Sequence, residues 1–189
     1  MAKSFCCQHA GKITAMESAK KQKLREQIKL ARPHSSSGLT QNLIRLTLEL
    51  NANVIASYWP LDDEPDTGEY NSWVELIGKN LITPRVTGNT MEFASGPFMP
   101  GSYGILEPQG QVMNIANADL ILVPALAVSQ SGERLGKGKG FYDRALLLSQ
   151  APKYAVVFES ENLISIPSED HDQKVTGSVS PLAIRHFLS

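Results

Sequence analysis

The chain has 189 residues, a formal net charge of −1, 42% hydrophobic residues and 20% charged residues, the size and composition of one ordinary globular domain. This balance supplies no general field for nucleic acid or a membrane surface, so any anion site must be built locally from a few placed cations. No apolar run is long enough to span a bilayer. The two cysteines, Cys6 and Cys7, are adjacent, a spacing that rarely reaches unstrained disulfide geometry, and the chain reads as cytoplasmic.

Residues 1–17 lack a signal-peptide core and are expected to form a flexible leader, with Met16 an alternative start. Residues 18–189 are expected to form a single domain. Residues 18–31, SAKKQKLREQIKLA, compose a basic helix. Arg32-Pro33 ends it, because the residue before a proline is pushed out of the helical region. Residues 34–38 form a polar linker, and residues 39–50 resume as a helix with a stripe of Leu39, Leu43, Leu46 and Leu50.

A strand over residues 53–59 is stopped by Pro60 and the acidic turn LDDEPDTGE. Residues 67–79 read as a helix and residues 81–86, LITPRV, as a strand; residues 91–93 and 103–106 are short extended pieces. DLILVP, residues 119–124, is the continuous apolar run of a strand covered on both faces, and residues 125–128 follow it. After a glycine loop, residues 141–149 read as a helix and residues 153–158 as another buried strand. The alternation predicts an α/β fold, a single three-layer domain with an open, mostly parallel sheet and helices on both faces. Ligands of such sheets sit outside the carboxyl ends of the strands, where the loop after DLILVP must lie.

That loop, RLGKGKGFYDR, packs glycines and cations ahead of an acid. It is not a P-loop: neither Lys137 nor Lys139 is followed by a hydroxyl, and the first glycine is missing at Ser131 or Glu133. Nor is it a dinucleotide fingerprint, since Gly136, Gly138 and Gly140 alternate with single residues and fall late in the chain. The physics of those motifs remains. Glycines let backbone N–H groups turn toward an anion, and a helix starting near Phe141 adds its positive end. Lys137 and Lys139 add full charges, and Asp143 is suited to magnesium between phosphate oxygens. A basic glycine turn with a helix-start carboxylate is the plainer reading, and the residues alone leave both standing.

The segment DLILVPALAVSQSGERLGKGKGFYDRAL resembles the signature of the 5-formyltetrahydrofolate cyclo-ligase (5,10-methenyltetrahydrofolate synthetase) family. KKQKLR, ASYWPLDDEPDT, LITPRV, MEF, YGILEP and IPSEDHDQKV follow the family's order from about Lys20 to near the C-terminus. The resemblance implies ATP-dependent cyclisation of 5-formyltetrahydrofolate to 5,10-methenyltetrahydrofolate with release of ADP and phosphate. The formyl oxygen takes the γ-phosphoryl group, N10 attacks the activated carbon, and phosphate leaves. Positioning and charge neutralisation carry such a reaction.

The same resemblance implies the roles. Lys21 and Arg25, one helical turn apart, approach the ATP phosphates, and Arg134, Lys137 and Lys139 join them with the backbone of Gly136, Gly138 and Gly140 and with Tyr142. Lys137, Lys139 and Asp143 are the catalytic candidates; Asp143 and Asp172 are the candidates for Mg2+. On the folate side stand Glu64, Met91, Tyr103 and Phe141, the carboxylate facing pterin N–H groups and the aromatics flanking a flat ring system. Plainer readings exist for several: solvated helix charges for Lys21 and Arg25, an acidic surface turn for Asp172, a loop acid for Glu64, a core residue for Met91. His171 reads as structural.

Departures from the pattern are Phe141 for a tyrosine, Val128-Ser129 for Phe-Asp, Ala125 for glycine and Thr176 for an acid. They motivate an alternative: a catalytically impaired relative that binds folate or nucleotide. No nucleic-acid or membrane partner is expected, and the chain is expected to be a monomer or a weak homo-oligomer.

Overall fold

The computed structural model describes residues 3–33, 35–88, 90–101, 105–169 and 172–187, with side chains described from Met16 onward. Helix α1 (Lys3–Ala31) starts ahead of the expected residues 18–31, and α2 (Leu39–Glu49) follows. Strand β1 (Val54–Ala56) leads through an acidic loop to α3 (Gly68–Leu76) and β2 (Asn80–Thr87). Then come β3 (Thr90–Ala94), β4 (Phe98–Pro100), β5 (Leu106–Pro108) and β6 (Val112–Met113). The central DLILVP run forms β7 (Leu120–Pro124), followed by β8 (Ala127–Ser129) and β9 (Arg134–Leu135). Helix α4 (Phe141–Leu146), β10 (Lys153–Val156), β11 (Asn162–Leu163), β12 (Gly177–Val179) and β13 (Ile184–His186) complete the order.

Eight strands form the main sheet in the order β13-β12-β10-β7-β1-β2-β3-β6. The five central strands are parallel, with Ile55 opposite Leu81 and Leu120, and Tyr154 opposite Leu122 and Gly177. Antiparallel strands close both edges. Successive side chains of a strand point to opposite faces, and the core divides accordingly. Ile55, Leu120, Leu122 and Tyr154 pack under Leu39, Leu43 and Leu46 of α2 and Tyr70 and Val74 of α3. Ala56, Ile121 and Val123 face the other way, toward Phe93 and the α4 residues Ala145 and Leu146. The expected three layers are present.

Two local expectations change. Helix α4 stops at Leu146 rather than residue 149, because Leu148 and Ser149 bond back only three residues, to Ala145 and Leu146, and the chain tightens into turns. The glycine loop also does not follow β7 directly. A β8–β9 hairpin intervenes, joined by β11 into a separate three-stranded sheet. Leu24 and Ile28 of α1 pack against Leu126, Ala127 and Leu135 of that hairpin. The first helix is thereby laid beside the glycine loop.

Candidate active site

A cavity of about 1220 Å³ opens at the carboxyl ends of the parallel strands. Every described residue that the sequence put forward lines it. Lys21 and Arg25 come from α1, Glu64 from the loop after β1, Met91 from β3 and Arg134 from β9. Gly136 through Gly140 form one wall, continued by Phe141, Tyr142 and Asp143 of α4 and closed by Asp172 from the tail. Tyr103 and His171 lie outside the described residues.

The wall around the glycine loop is held by charge-assisted hydrogen bonds, the stronger kind. Arg25 Nε donates to the carbonyl of Gly136 at 2.9 Å, fastening α1 to the loop. Arg134 Nη2 donates to Asp143 Oδ1 at 2.7 Å, and the Arg134 guanidinium lies 5.9 Å from the Tyr142 ring centre. Gly138 and Gly140 hold φ of +95° and +66°, a region L side chains rarely enter, so glycine at these two positions has a backbone cause, while a Cβ at Gly136 would meet the Arg134 guanidinium at 2.7 Å. Lys21 is 4% exposed and donates to Glu169 Oε2 at 2.7 Å and to Asp172 Oδ2 at 2.6 Å. Burial alone would lower its pKa, but those two carboxylates outweigh it and hold the ammonium above its ordinary value.

Lys137 reaches across the cavity to the acidic loop. Its Nζ donates to Asp63 Oδ1 at 2.7 Å and lies 3.0 Å from Glu64 Oε1. The other oxygen of Glu64 accepts from the backbone N–H of Leu61 at 3.0 Å. Behind this loop, Arg32 Nε donates to Glu161 Oε1 at 2.7 Å, and Nη2 donates to the carbonyl of Ala125 at 2.6 Å. Burial drives the Tyr142 phenol far above its ordinary pKa, with the Glu64 charge adding to the shift. Among the described residues the Tyr142 hydroxyl, Trp59 Nε1 and Arg134 Nε are buried without a hydrogen-bond partner. Such groups are uncommon in a finished core. These three belong to residues of the cavity wall.

Among the described residues no three His, Cys, Asp or Glu side chains gather as a metal-holding group. Asp143 and Asp172 nonetheless both line the cavity, and magnesium bound with a nucleotide needs only one or two carboxylates besides phosphate and water. Both are oxygen donors of the kind magnesium takes, each held in an ion pair here, Asp143 with Arg134 and Asp172 with Lys21.

Sequence reasoning passed over Trp59, Arg85 and Glu169, which also line the cavity. A charge in an otherwise apolar LITPRV run was the available signal for Arg85. Trp59 follows a parallel strand's carboxyl end, which was a second signal. Nothing local separates Glu169 from its acidic neighbours. Of the departures, Phe141 lies 5.1 Å from the Arg144 guanidinium. Ser129 is buried in β8 with its hydroxyl on Glu133, and Thr176 Oγ1 accepts from the backbone N–H of Lys153. Neither of these two is a lining residue.

Comparison with known proteins identifies the family. Residues 16–181 match the 5-formyltetrahydrofolate cyclo-ligase family. A 5-formyltetrahydrofolate cyclo-ligase of Mycolicibacterium smegmatis is 34% identical over 148 residues, covering 71% of this chain and 76% of the relative. One from Mus musculus is 29% identical over 175 residues, covering 82% and 86% of the two chains. The NMR structure of Aquifex aeolicus 5,10-methenyltetrahydrofolate synthetase superimposes with a TM-score of 0.76 at 27% identity, covering 89% of this chain and 93% of that one. The match spans most of the sequence and the fold agrees, and the chain belongs to the 5-formyltetrahydrofolate cyclo-ligase family.

Proposed function

We propose that the protein converts 5-formyltetrahydrofolate to 5,10-methenyltetrahydrofolate at the expense of ATP, releasing ADP and phosphate. The observation that carries this reading is one cavity whose lining combines a cluster of cations with apolar and acidic side chains. Lys21, Arg25, Arg134, Lys137, Lys139 and the glycine backbone line it, as do Glu64, Met91, Trp59, Arg85 and Glu107. The cations and loop N–H groups suit a triphosphate, and the apolar side chains with Glu64 suit a pterin.

The formyl oxygen attacks the γ-phosphorus and ADP departs with the electrons of the broken P–O bond. N10 then attacks the activated formyl carbon and gives up its proton, and phosphate leaves with the former formyl oxygen. Lys137 and Lys139 neutralise charge on the transferring group, which is most of what the protein must do. Lys21, Arg25 and Arg134 hold the remaining phosphates, and loop N–H groups complete the cradle. Tyr142 presents a buried hydroxyl with no protein partner among the described residues, suited to a ligand oxygen. Glu64 accepts from pterin N–H groups, with Met91 and Phe141 beside the ring. Asp143 and Asp172 would hold magnesium, which supplies charge neutralisation on phosphate oxygens. No membrane is involved in this chemistry, and no helix among the described residues is long and apolar enough to cross one.

The direct test follows absorbance of the methenyl product after mixing protein, MgATP and 5-formyltetrahydrofolate, with ATP omitted in the control. A rise that requires ATP is expected. A flat trace from folded protein that still binds the folate would reject catalysis in favour of a binding relative, the reading motivated by Phe141.

A further inference from the structure

Arg32 is 8% exposed and makes three hydrogen bonds: Glu161 through Nε and, at 3.3 Å, through Nη2, and the carbonyl of Ala125 through Nη2. Its remaining nitrogen, Nη1, is buried and has no hydrogen-bond partner among the described residues. An orphaned buried donor on a charged group is costly. Nη1 points toward Asp63, whose Oδ2 lies 3.8 Å away, too far for a hydrogen bond but within ion-pair range. The other oxygen of Asp63 holds Lys137 at 2.7 Å. Burial pushes the Asp63 carboxyl up, but Lys137 and then Arg32 outweigh it and hold it below its ordinary value. Both cations already act on this one acid.

The geometry points to Asp63 as a positioning residue with two resting places, resting on the triphosphate reading of the cavity. Without ligand, Asp63 and Glu64 together hold Lys137 against the acidic loop. When a triphosphate takes Lys137, Asp63 moves about an ångström onto Arg32 Nη1 and satisfies the orphaned donor. The Asp63 carboxylate stays paired in both states, so transfer of Lys137 to the ligand leaves only Glu64 without its cation. The same transfer takes the counter-charge from Glu64 Oε1, which then faces the pterin side as an open acceptor. Nucleotide and folate are thereby expected to favour each other's binding, and Asp63 is the hinge of that coupling.

A binding cycle tests it. Affinity for MgATP is measured by calorimetry in wild type, Arg32→Lys, Asp63→Asn and the double variant. Lysine keeps the charge opposite Glu161 and lacks Nη1. Arg32→Lys is expected to weaken MgATP binding about fivefold to tenfold in the wild-type background, the scale of one hydrogen bond to a half-exposed partner, and to have little effect once Asp63 is Asn. Equal losses in both backgrounds would make Arg32 merely structural and overturn the proposal. Should Arg32→Lys fail to fold, side-chain 15N NMR of wild type and Asp63→Asn replaces the cycle, with inorganic tripolyphosphate as the probe. The Arg32 guanidinium signals should shift on adding it in wild type and not in the variant; binding without a shift in wild type overturns the switch. Failure of MgATP and tripolyphosphate to bind wild type at all would reject the nucleotide reading itself, and the switch with it.

Discussion

Arg134 and Asp143 face each other across the glycine loop, Nη2 donating to Oδ1 at 2.7 Å, so the cation ahead of the loop and the acid behind it are held as one unit. The backbone N–H of Gln173 lies 3.4 Å from the same oxygen and ties the tail to that unit. Asp143→Asn keeps a polar partner for Arg134 and removes the charge. Methenyl formation at saturating substrate should fall on the order of 10²-fold, as when one preorganised electrostatic group is removed. Circular dichroism and the melting temperature should change little. Normal turnover in the variant would remove Asp143 from the phosphate and magnesium machinery.

Lys21 bridges Glu169 and Asp172 with its ammonium. Lys21→Met leaves those acids together without it, a like-charge pair against a partly buried wall. Stability in urea at neutral pH should drop by about 1.5–3 kcal/mol, the scale of hydrogen bonds to a charged group. A deficit under about 0.5 kcal/mol, the range of ordinary surface substitutions, would mean that the pair is solvated and Lys21 serves the ligand alone.

Tyr142→Phe separates folding from function. Because its buried hydroxyl has no partner among the described residues, removing it should leave the unliganded protein as stable or up to about 1 kcal/mol more stable. Nucleotide affinity or turnover should fall several-fold if that hydroxyl awaits a ligand oxygen. A variant that loses stability instead would place a hidden partner on the phenol. One that keeps full activity would make the hydroxyl irrelevant to the site.

Acid stability has a named contributor outside the cavity. Burial raises the Glu133 carboxyl, but hydrogen bonds from Lys174, Ser129 and Ser131 overcome it and bring the pKa from 4.5 down to about 2. A lowered folded pKa stabilises above the unfolded value and is lost as pH falls through the folded one. Glu133→Gln should therefore be less stable than wild type near neutrality, and the gap should close between about pH 5 and pH 2. Denaturant titrations at several pH values measure it; a gap independent of pH would refute the pairing.

Particular residues show how far local pattern reaches. DLILVP and the Leu39, Leu43, Leu46 stripe were legible because burial on two faces, or on one helical face, dictates residue type directly. Leu147 and Leu148, 63% and 65% exposed, looked like a continued helix because an apolar pair carries no record of where the backbone tightens. The β8–β9 hairpin has strands of three and two residues around a polar turn, too short to show a period. Most of the candidate site was legible because the glycine loop and its flanking charges are contiguous. Glu64 was legible only through resemblance, since the lysine that holds it lies in a distant segment and no local spacing records such a meeting. Arg32 and Asp63 escaped for the same reason: each looks like a solvated charge until the chain folds.

The separate sheet under the glycine loop has a mechanical consequence. Its hydrophobic contacts, among Leu24, Ile28, Leu126, Ala127 and Leu135, form a cluster distinct from the one beneath Met91 and Tyr142. The two clusters are bridged by a third, in which Val128 of β8 packs with Val157 and with Ala155 of β10, while Arg25 on Gly136 fastens α1 to the loop on one side of the cleft. Apolar packing thus ties the small sheet to the main one, and the glycine loop is held at a fixed distance from the parallel strands.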